Sequence, residues 1–252
     1  MTHIHLIGIG TGNPDHVTGQ AQAALHKADL ILIPHKGAGK SDLADLRSQI
    51  VAQIRPDAPT AFFDMPERDP ALPYLQAVDA WHDDIAQRWM AAIAAHSAPE
   101  HVALLVWGDP SLYDSTLRIA ARLDPKPQLT VIPGITSLQA LTAAHAMPLN
   151  TVNAPVTITT GRRLRDHGWP EGAETLVVML DGGCAFQTLD PQAYHIWWGA
   201  YLGMENQILK SGRLRDVTDE IIKMRAKARA DHGWIMDTYL LRRLDSSGVA
   251  PF

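Results

Sequence analysis

The chain is short of cysteine: its 252 residues include only Cys184. A single thiol cannot form an intramolecular disulfide, so we expect the protein to fold without one, in a reducing cytoplasm. The first fifteen residues also lack the basic segment and the cleavage site of a secretory signal peptide. We therefore expect a cytoplasmic protein.

Positive charge and long apolar runs are scarce too. Lysine and arginine total 22 against 27 aspartate and glutamate residues, a formal net charge of −5. Nucleic-acid binding needs clustered positive charge, so this balance disfavours a nucleic-acid partner. No stretch reaches the roughly 18 consecutive apolar residues that span a bilayer, so we expect no membrane partner. Apolar residues still make up 46% of the chain, which suits one large domain or two modest ones.

The first half alternates between strand-like and helix-like segments. Strands separated by helices predict an α/β fold with a mostly parallel sheet whose faces are both covered. The predicted strands are His3–Ile9, Leu30–Ile33, His101–Trp107 and Leu129–Ile132, and the predicted helices are Thr18–Lys27, Tyr74–His96, Leu112–Leu123 and Thr136–His145.

A polar, turn-like segment, Pro148–Pro155, separates the second half from the first. We therefore predict two α/β domains, residues 1–150 and residues 151–252. The second is richer in strand and is predicted to form a mixed sheet. Its predicted elements are strands Val156–Thr160, Thr175–Leu180, Ala193–Leu202, Ile208–Lys210 and Trp234–Leu241, and helix Val217–Arg229.

A glycine-rich loop, Gly8–Gly12, follows the first predicted strand. Glycine permits tight turns and close approach of another group to the backbone. A dinucleotide-binding fingerprint would need a third glycine where Asn13 stands, and an acidic residue at the end of the second strand, where Pro34 and His35 stand. The loop therefore disfavours NAD or FAD. A plain strand-to-helix turn remains the alternative.

Three segments together resemble the tetrapyrrole (corrin and porphyrin) methylase family. They are the glycine loop with Thr18 and Ala21, the Gly-Asp-Pro motif within Val106–Tyr113, and the Pro-Gly-Ile motif within Val131–Ser137. Each motif alone has low specificity, but their order and spacing are those of the family, and the similarity covers nearly the whole chain. The resemblance implies two α/β domains, usually in a homodimer, with S-adenosyl-L-methionine bound in the cleft between the domains.

The resemblance also implies a set of cofactor contacts. They are Trp107, Gly108, Asp109 and Leu112 from the Gly-Asp-Pro motif, Thr136 and Ser137 from the Pro-Gly-Ile motif, and Leu180 and Leu202 from the second domain. Two positions depart from the family pattern, since Leu180 replaces a common methionine and Asp114 replaces a usual glycine. Asp109 also has another interpretation, as the cap of the following helix.

Within the family, further segments resemble members that methylate C1 of precorrin-5 and release acetate during cobalamin biosynthesis. They are residues 12–16, 107–114, 159–163, 178–183, 198–203 and 233–242. The resemblance thus implies an S-adenosylmethionine-dependent methyltransferase that yields S-adenosyl-L-homocysteine. The alternatives are another ring methyltransferase of the same pathway, a ribosomal RNA ribose methyltransferase, which the net charge disfavours, and a non-catalytic protein that binds a tetrapyrrole or the cofactor.

Arginines are the candidate substrate contacts, because precorrins carry many carboxylates. Arg162, Arg163 and Arg165 follow Gly161, and their guanidinium groups suit forked hydrogen bonds to carboxylates. The alternative is that this run only forms a solvated helix face.

The glycine loop borders the substrate in the family, which implies substrate contacts for Gly10 and Gly12. Removal of an acetyl group needs an attacking water and hence a general base. His16 stands where relatives carry leucine, and an imidazole can take up a proton near neutral pH. His16 is therefore the candidate base and Asp15 a lesser one, unless both are only turn residues.

No metal site is predicted from the sequence. His3 and His5 alternate along the first strand, but the twelve histidines show no spacing typical of zinc ligands. We interpret both residues as ordinary parts of that strand.

Overall fold

The structure, a computed structural model, describes residues 2–35, 42–245 and 247–250, and of residues 42–44 only the backbone. Two compact units follow one another along the chain, residues 1–136 and residues 137–252. Within the described ranges, every helix is too short or too polar to cross a membrane.

A parallel sheet of five strands forms the centre of the first unit. The strands are β1 (His3–Gly8), β2 (Leu30–His35), β3 (Thr60–Asp64), β4 (His101–Val106) and β5 (Gln128–Ile132). They pair in the order β3-β2-β4-β1-β5, and every pairing is parallel. The predicted α/β fold is confirmed, and β3 is a strand that the sequence pattern did not indicate.

Helices cover both faces of this sheet: α1 (Gly19–Lys27), α2 (Asp42–Ile54), α3 (Tyr74–Ala94) and α4 (Thr116–Ala120). Alternate residues of β1 reach the two faces. Ile4 and Leu6 pack in the core formed with α3 and α4, whereas Ile7 and Ile9 pack in the core formed with α1 and α2. The predicted cap of α1 is present, since the Thr18 hydroxyl accepts a hydrogen bond from the Ala21 amide at 3.1 Å.

The helix predicted over Leu112–Leu123 is shorter at both ends, since it spans only Thr116–Ala120. Tyr113 has a φ of +51°, a left-handed conformation through which a right-handed helix cannot continue. The Asp114 carboxylate then accepts hydrogen bonds from the Thr116 amide at 2.7 Å and the Thr116 hydroxyl at 2.5 Å. The prediction was wrong over residues 112–115 because apolar spacing does not report backbone handedness.

A mixed sheet forms the second unit, as predicted. Its strands are β6 (Val156–Thr160), β7 (Thr175–Met179), β8 (Tyr194–Ala200), β9 (Ile208–Arg213) and β10 (Asp237–Arg243). They pair in the order β6-β7-β10-β8-β9, with β6 and β7 parallel and the other pairs antiparallel. The helices are α5 (Ser137–Ala144), α6 (Gly161–His167) and α7 (Leu214–His232).

The two units divide before α5, earlier than the boundary at residues 150 and 151 that composition suggests. Helix α5 packs on the second sheet. Its Leu141 lies 3.0 Å from the point where a Cβ on Gly199 would stand. Nε2 of His145, just after α5, lies 3.1 Å from the Trp198 carbonyl oxygen. Packing of the helix on β8, rather than the turn-like segment 148–155, decides the division.

Candidate active site

Loops from three neighbouring strands meet at the carboxyl edge of the first sheet, because β4, β1 and β5 are adjacent and parallel. A short antiparallel bridge joins two of the loops. The Gly108 amide donates to the Gly10 carbonyl at 2.7 Å, and the Gly10 amide donates to the Gly108 carbonyl at 3.3 Å. The glycine loop and the Gly-Asp-Pro motif, far apart in sequence, therefore form one surface at the edge where α/β sheets commonly bind ligands.

Glycines let these loops pack backbone against backbone. A Cβ on Gly134 would overlap the Gly108 carbonyl oxygen, and a Cβ on Gly8 would lie 2.6 Å from the Gly134 amide nitrogen. Gly108 itself has a φ of +60°, which glycine adopts without strain. No larger residue fits at Gly8 or Gly134 unless the loops separate.

The Asp109 carboxylate ties the loop after β4 to the loop after β5. One oxygen accepts hydrogen bonds from the Ser111 amide at 2.8 Å and the Ser111 hydroxyl at 2.5 Å, and the other accepts from the Gly134 amide at 2.9 Å. Burial alone would raise the pKa of Asp109, but the hydrogen bonds from Ser111 and Gly134 outweigh it and hold that pKa below its usual range. Asp109 does not cap α4, which starts later, so that interpretation was wrong.

Trp107 opens the Gly-Asp-Pro motif and brings a buried donor to the same edge. Its indole Nε1 is buried without a hydrogen-bond partner among the described residues. Cζ of Arg47 lies 5.4 Å from the Trp107 ring centroid, and Nε of Arg47 donates to the Leu105 carbonyl at 3.1 Å. Burial lowers the pKa of Arg47 to about 10, although Asp114 favours its charged form. A buried donor without a protein partner is a reason to expect a polar ligand atom nearby.

A cavity of about 130 Å³ lies within the first unit at this edge. Its wall combines apolar side chains of β2, β4 and α3 with the polar side chains of Arg47, Asp114 and Ser115. Trp89 also lines it, and its Nε1 has no hydrogen-bond partner in the described part of the chain. Arg47 and this cavity could not be predicted from the sequence, because its pattern does not indicate α2 and no motif marks either feature.

His16 and Asp15 belong to a single 3₁₀ turn, Pro14–His16, which follows the glycine loop. The Asn13 side chain caps the turn by accepting a hydrogen bond from the Asp15 amide at 2.9 Å. Nδ1 of His16 lies 3.3 Å from the Thr11 hydroxyl oxygen, so Thr11 orients the half-buried ring. A Cβ on Gly10 would lie 2.6 Å from Cβ of His16, which explains the glycine there.

The remaining motif residues flank the same loops. The Leu112 amide donates to the Asp109 carbonyl at 3.2 Å. Thr136 lies against the Gly-Asp-Pro loop, with its Cα 3.7 Å from the position of a Cβ on Gly108. Ser137, which begins α5, has a buried hydroxyl with no hydrogen-bond partner among the residues described. Of the predicted cofactor contacts, Trp107, Gly108, Asp109, Leu112 and Thr136 therefore cluster within the first unit.

The two leucines predicted as cofactor contacts in the second unit differ in exposure. Leu180, directly after β7, is 66% exposed and has a φ of +52°. Leu202 is only 4% exposed, and its Cδ2 lies 2.5 Å from the position of a Cβ on Gly199. An exposed leucine in a left-handed conformation is costly, and such strain is concentrated at functional sites.

A buried carboxylate fixes the loop that carries Leu180. Asp181 is 5% exposed and accepts hydrogen bonds from the Gly183 amide at 3.0 Å, the Ala185 amide at 2.6 Å and the Tyr239 hydroxyl at 2.6 Å. The Arg225 guanidinium donates to the Asp181 carbonyl oxygen at 2.8 Å. Hydrogen bonds from Tyr239 of β10 and Arg225 of α7 to Asp181 thus fix the loop that carries Leu180.

The predicted substrate arginines lie at the start of α6. The Thr160 hydroxyl caps this helix by accepting a hydrogen bond from the Arg163 amide at 3.4 Å. Arg162 and Arg163 are exposed, as expected for either a substrate contact or a solvated face. Arg165 pairs with Asp166 at 3.1 Å on the surface, so its guanidinium already has a carboxylate partner.

The chain belongs to the tetrapyrrole (corrin/porphyrin) methylases, because the model of that family matches residues 3–218. The matched span includes the glycine loop, the Gly-Asp-Pro and Pro-Gly-Ile motifs, and most of the second unit. Among known proteins, the chain is 49% identical to a precorrin-6A synthase (deacetylating) of a Sinorhizobium species, over 96% of each chain. It is also 32% identical to a precorrin-2 C(20)-methyltransferase from a Sinorhizobium species, over 57% of this chain and 59% of that one.

Solved structures agree with this family membership. A putative cobalamin synthesis related protein from Corynebacterium diphtheriae has a TM-score of 0.82 at 38% identity, over 97% of this chain and 100% of that one. A uroporphyrin-III C-methyltransferase from Thermus thermophilus, solved with S-adenosylhomocysteine, has a TM-score of 0.62 at 19% identity, over 95% and 97% of the two chains. The second likeness is evidence for the fold alone.

Replacement of Asp109 by asparagine tests the link between the loops. At neutral pH we expect Asp109→Asn to be less stable than the wild type by about 1–3 kcal/mol, because the loops lose a charged acceptor of three hydrogen bonds. The folded-state pKa of Asp109 is lowered, so its stabilisation is complete above the unfolded value of about 3.9 and fades as pH falls through the folded-state pKa.

Urea unfolding of both proteins from pH 7 down to pH 3 measures this difference. Asp219→Asn, a change at an exposed position of α7, is the control and should shift stability by no more than about 0.5 kcal/mol. A difference between wild type and Asp109→Asn that stays constant over the whole pH range contradicts the assignment.

Proposed function

We propose that this protein transfers a methyl group from S-adenosyl-L-methionine to C1 of precorrin-5 and releases acetate, which gives precorrin-6A in cobalamin biosynthesis. The observation that carries the proposal is the 49% identity to a precorrin-6A synthase (deacetylating), which extends over 96% of both chains. The likeness to a putative cobalamin synthesis related protein, at a TM-score of 0.82, supports the same pathway.

The first unit offers groups that fit the cofactor. Trp107 provides an unsatisfied buried N–H, and the Asp109 oxygen bonded to Gly134 has capacity for a further hydrogen bond from a ribose hydroxyl or an ammonium group. When bound, S-adenosylmethionine supplies an electrophilic methyl group on a cationic sulfur. We propose as its contacts Trp107, Gly108, Asp109, Leu112 and Thr136 from the first unit, with Ser137, Leu180 and Leu202 from the second.

The chain's own contribution to methyl transfer is mainly positional. An in-line displacement needs the acceptor carbon and the methyl group in register, and good positioning contributes about 7–11 kcal/mol to barrier lowering. Asp109 and the glycine contacts order the loops through bonds within the protein. Cofactor binding therefore does not have to order them.

Acetate release needs a base, and His16 is our candidate. In the tautomer in which Nδ1 donates to the Thr11 hydroxyl, Nε2 carries the lone pair that can accept a proton from water. The water oxygen bonds to the acetyl carbon, the bond between that carbon and the ring breaks, and its electron pair stays on the ring. Asp15, exposed on the same turn, is the second candidate.

Substrate carboxylates are the expected partners of Arg162 and Arg163, which are exposed at the start of α6. Gly10 and Gly12 would border the macrocycle, since their φ angles of +74° and +111° form a loop surface with no side chain at either position. We also propose that the protein is a cytoplasmic homodimer without nucleic-acid or membrane partners. Sedimentation analysis of the purified protein tests the dimer.

A methyl group at Gly134 tests whether the loop contacts build the cofactor site. Gly134→Ala should lower the affinity for S-adenosylhomocysteine at least about tenfold, or about 1.4 kcal/mol, because its Cβ overlaps the Gly108 carbonyl oxygen. Gly19→Ala is the matched control, since a Cβ there meets no atom within 4 Å. Calorimetric titration measures both, and equal affinities in the two variants would argue against the site.

Mass spectrometry of the product tests the activity itself. Protein incubated with precorrin-5 and S-adenosylmethionine should yield S-adenosylhomocysteine, free acetate and a tetrapyrrole that has gained a methyl group and lost an acetyl group. Methylation without acetate would indicate another ring methyltransferase of the pathway. Absence of S-adenosylhomocysteine would indicate a non-catalytic binding protein.

Measuring methyl transfer and acetate release separately tests whether His16 is the base. His16→Ala should keep methyl transfer but slow acetate release by about 100-fold or more, the usual contribution of general base catalysis. His26→Ala is the control, because His26 is exposed on α1 and its ring lies against the Gln22 carbonyl of its own helix. Wild-type rates of both products in His16→Ala would exclude His16, and Asp15→Ala would then be measured in the same way.

A further inference from the structure

Three histidines lie together at the amino edge of the first sheet, opposite the loops described above. His3 and His5 are two residues apart on β1 and so project from the same face of the strand. His101 begins β4 and is in direct register with His3. The parallel pairing thus brings one imidazole from a distant part of the sequence beside two from the first strand.

The ring nitrogens are close enough to share one ion. Each histidine offers one ligand nitrogen, and the three nitrogens lie within 4.8 Å of one another. Nε2 of His5 and Nδ1 of His101 are 3.1 Å apart. Two nitrogens bound tetrahedrally to zinc at about 2.05 Å are separated by about 3.3 Å, so this pair needs little movement.

The third ring lies beside this pair. The His3 and His5 rings are stacked, with centroids 4.3 Å apart and planes 18° apart, and the half-buried His3 ring thus keeps its ligand nitrogen within 4.8 Å of the other two. Nε2 of His3 lies 2.7 Å from the Thr130 hydroxyl on β5. A hydroxyl next to a ligand imidazole can orient the ring, as outer-shell partners do in metal sites.

The most buried ring of the cluster has a polar atom without a partner. His5 is buried, whereas His3 and His101 are half-buried. His5 is 5% exposed, and its Nδ1 has no hydrogen-bond partner within the described ranges.

We propose that His3, His5 and His101 form a binding site for a divalent transition metal, with Zn²⁺ as the type ion. Imidazole ligands favour zinc and its neighbours over magnesium or calcium. Three protein ligands leave a fourth position for water. The ion would join β1 to β4 at the end of the sheet away from the methyl-transfer loops.

The Asp29 carboxylate fixes the backbone of His101 at the proposed site. It accepts hydrogen bonds from the Glu100 amide at 3.0 Å and the His101 amide at 2.8 Å, which fixes the first residue of β4. No ligand from the second unit is required.

Metal titration of the untagged, chelator-treated protein tests the proposal. We expect the protein to bind one equivalent of Zn²⁺, as measured by calorimetry. It should also bind one equivalent of Co²⁺, with the visible absorption of an imidazole-bound ion. His101→Gln and His3→Gln should each weaken Zn²⁺ binding more than about tenfold, because even outer-shell changes cost about 10–100-fold in metal affinity. His96→Gln, at an exposed position after α3, should bind as the wild type does.

Because there are two variants, His101→Gln and His3→Gln, the test stays decisive if one of them fails to fold. The affinity for S-adenosylhomocysteine should keep the wild-type value in both. The proposal is overturned if the wild type binds no equivalent of Zn²⁺. It is equally overturned if His101→Gln and His3→Gln bind with wild-type affinity, since the ion would then be adventitious and bound elsewhere.

Discussion

The hydrogen bond from the Gly134 amide to the Asp109 carboxylate is the interaction on which the candidate site depends. It joins the loop after β4 to the loop after β5 across 25 residues of sequence, at a distance of 2.9 Å. The same carboxylate holds the Ser111 turn. A neutral side chain could not accept all of these hydrogen bonds in the same way, because only a carboxylate offers two acceptor oxygens and no donor.

The glycines and the carboxylate serve the same purpose. Gly8, Gly108 and Gly134 allow the backbones to approach closely, and Asp109 keeps them there. The second unit repeats this arrangement, since Asp181 accepts two backbone amides in the loop after β7 and a side chain on Gly161 would collide with it. In both units a carboxylate after a strand orders the loop before any ligand arrives, which lowers the entropic cost of binding.

The fold could be predicted from the sequence where local pattern decides it. Strands β1, β2, β4 and β5 of the first unit, the Thr18 cap and the mixed second sheet follow from apolar runs and capping chemistry, whereas β3 does not. The division before α5 and the start of α4 could not, because they depend on the packing of Leu141 against Gly199 and on the handedness of Tyr113.

Part of the candidate site could also be predicted from the sequence. The motifs predicted which loops matter, yet no sequence signal indicates that Asp109 bonds to Gly134, that Arg47 lies over Trp107, or that His101 joins His3 and His5. Each of these contacts is created by the register of parallel strands or by a helix that crosses the sheet. Long-range pairing of this kind is visible only in the folded chain.

Amide hydrogen exchange at Gly134, with and without S-adenosylhomocysteine, is the most direct measurement of the central claim. If the Asp109 carboxylate orders the loop in advance, the Gly134 amide should exchange slowly in the free protein, and ligand should change its protection little. Rapid exchange of that amide in the free protein, with protection appearing only on binding, would contradict a preformed site.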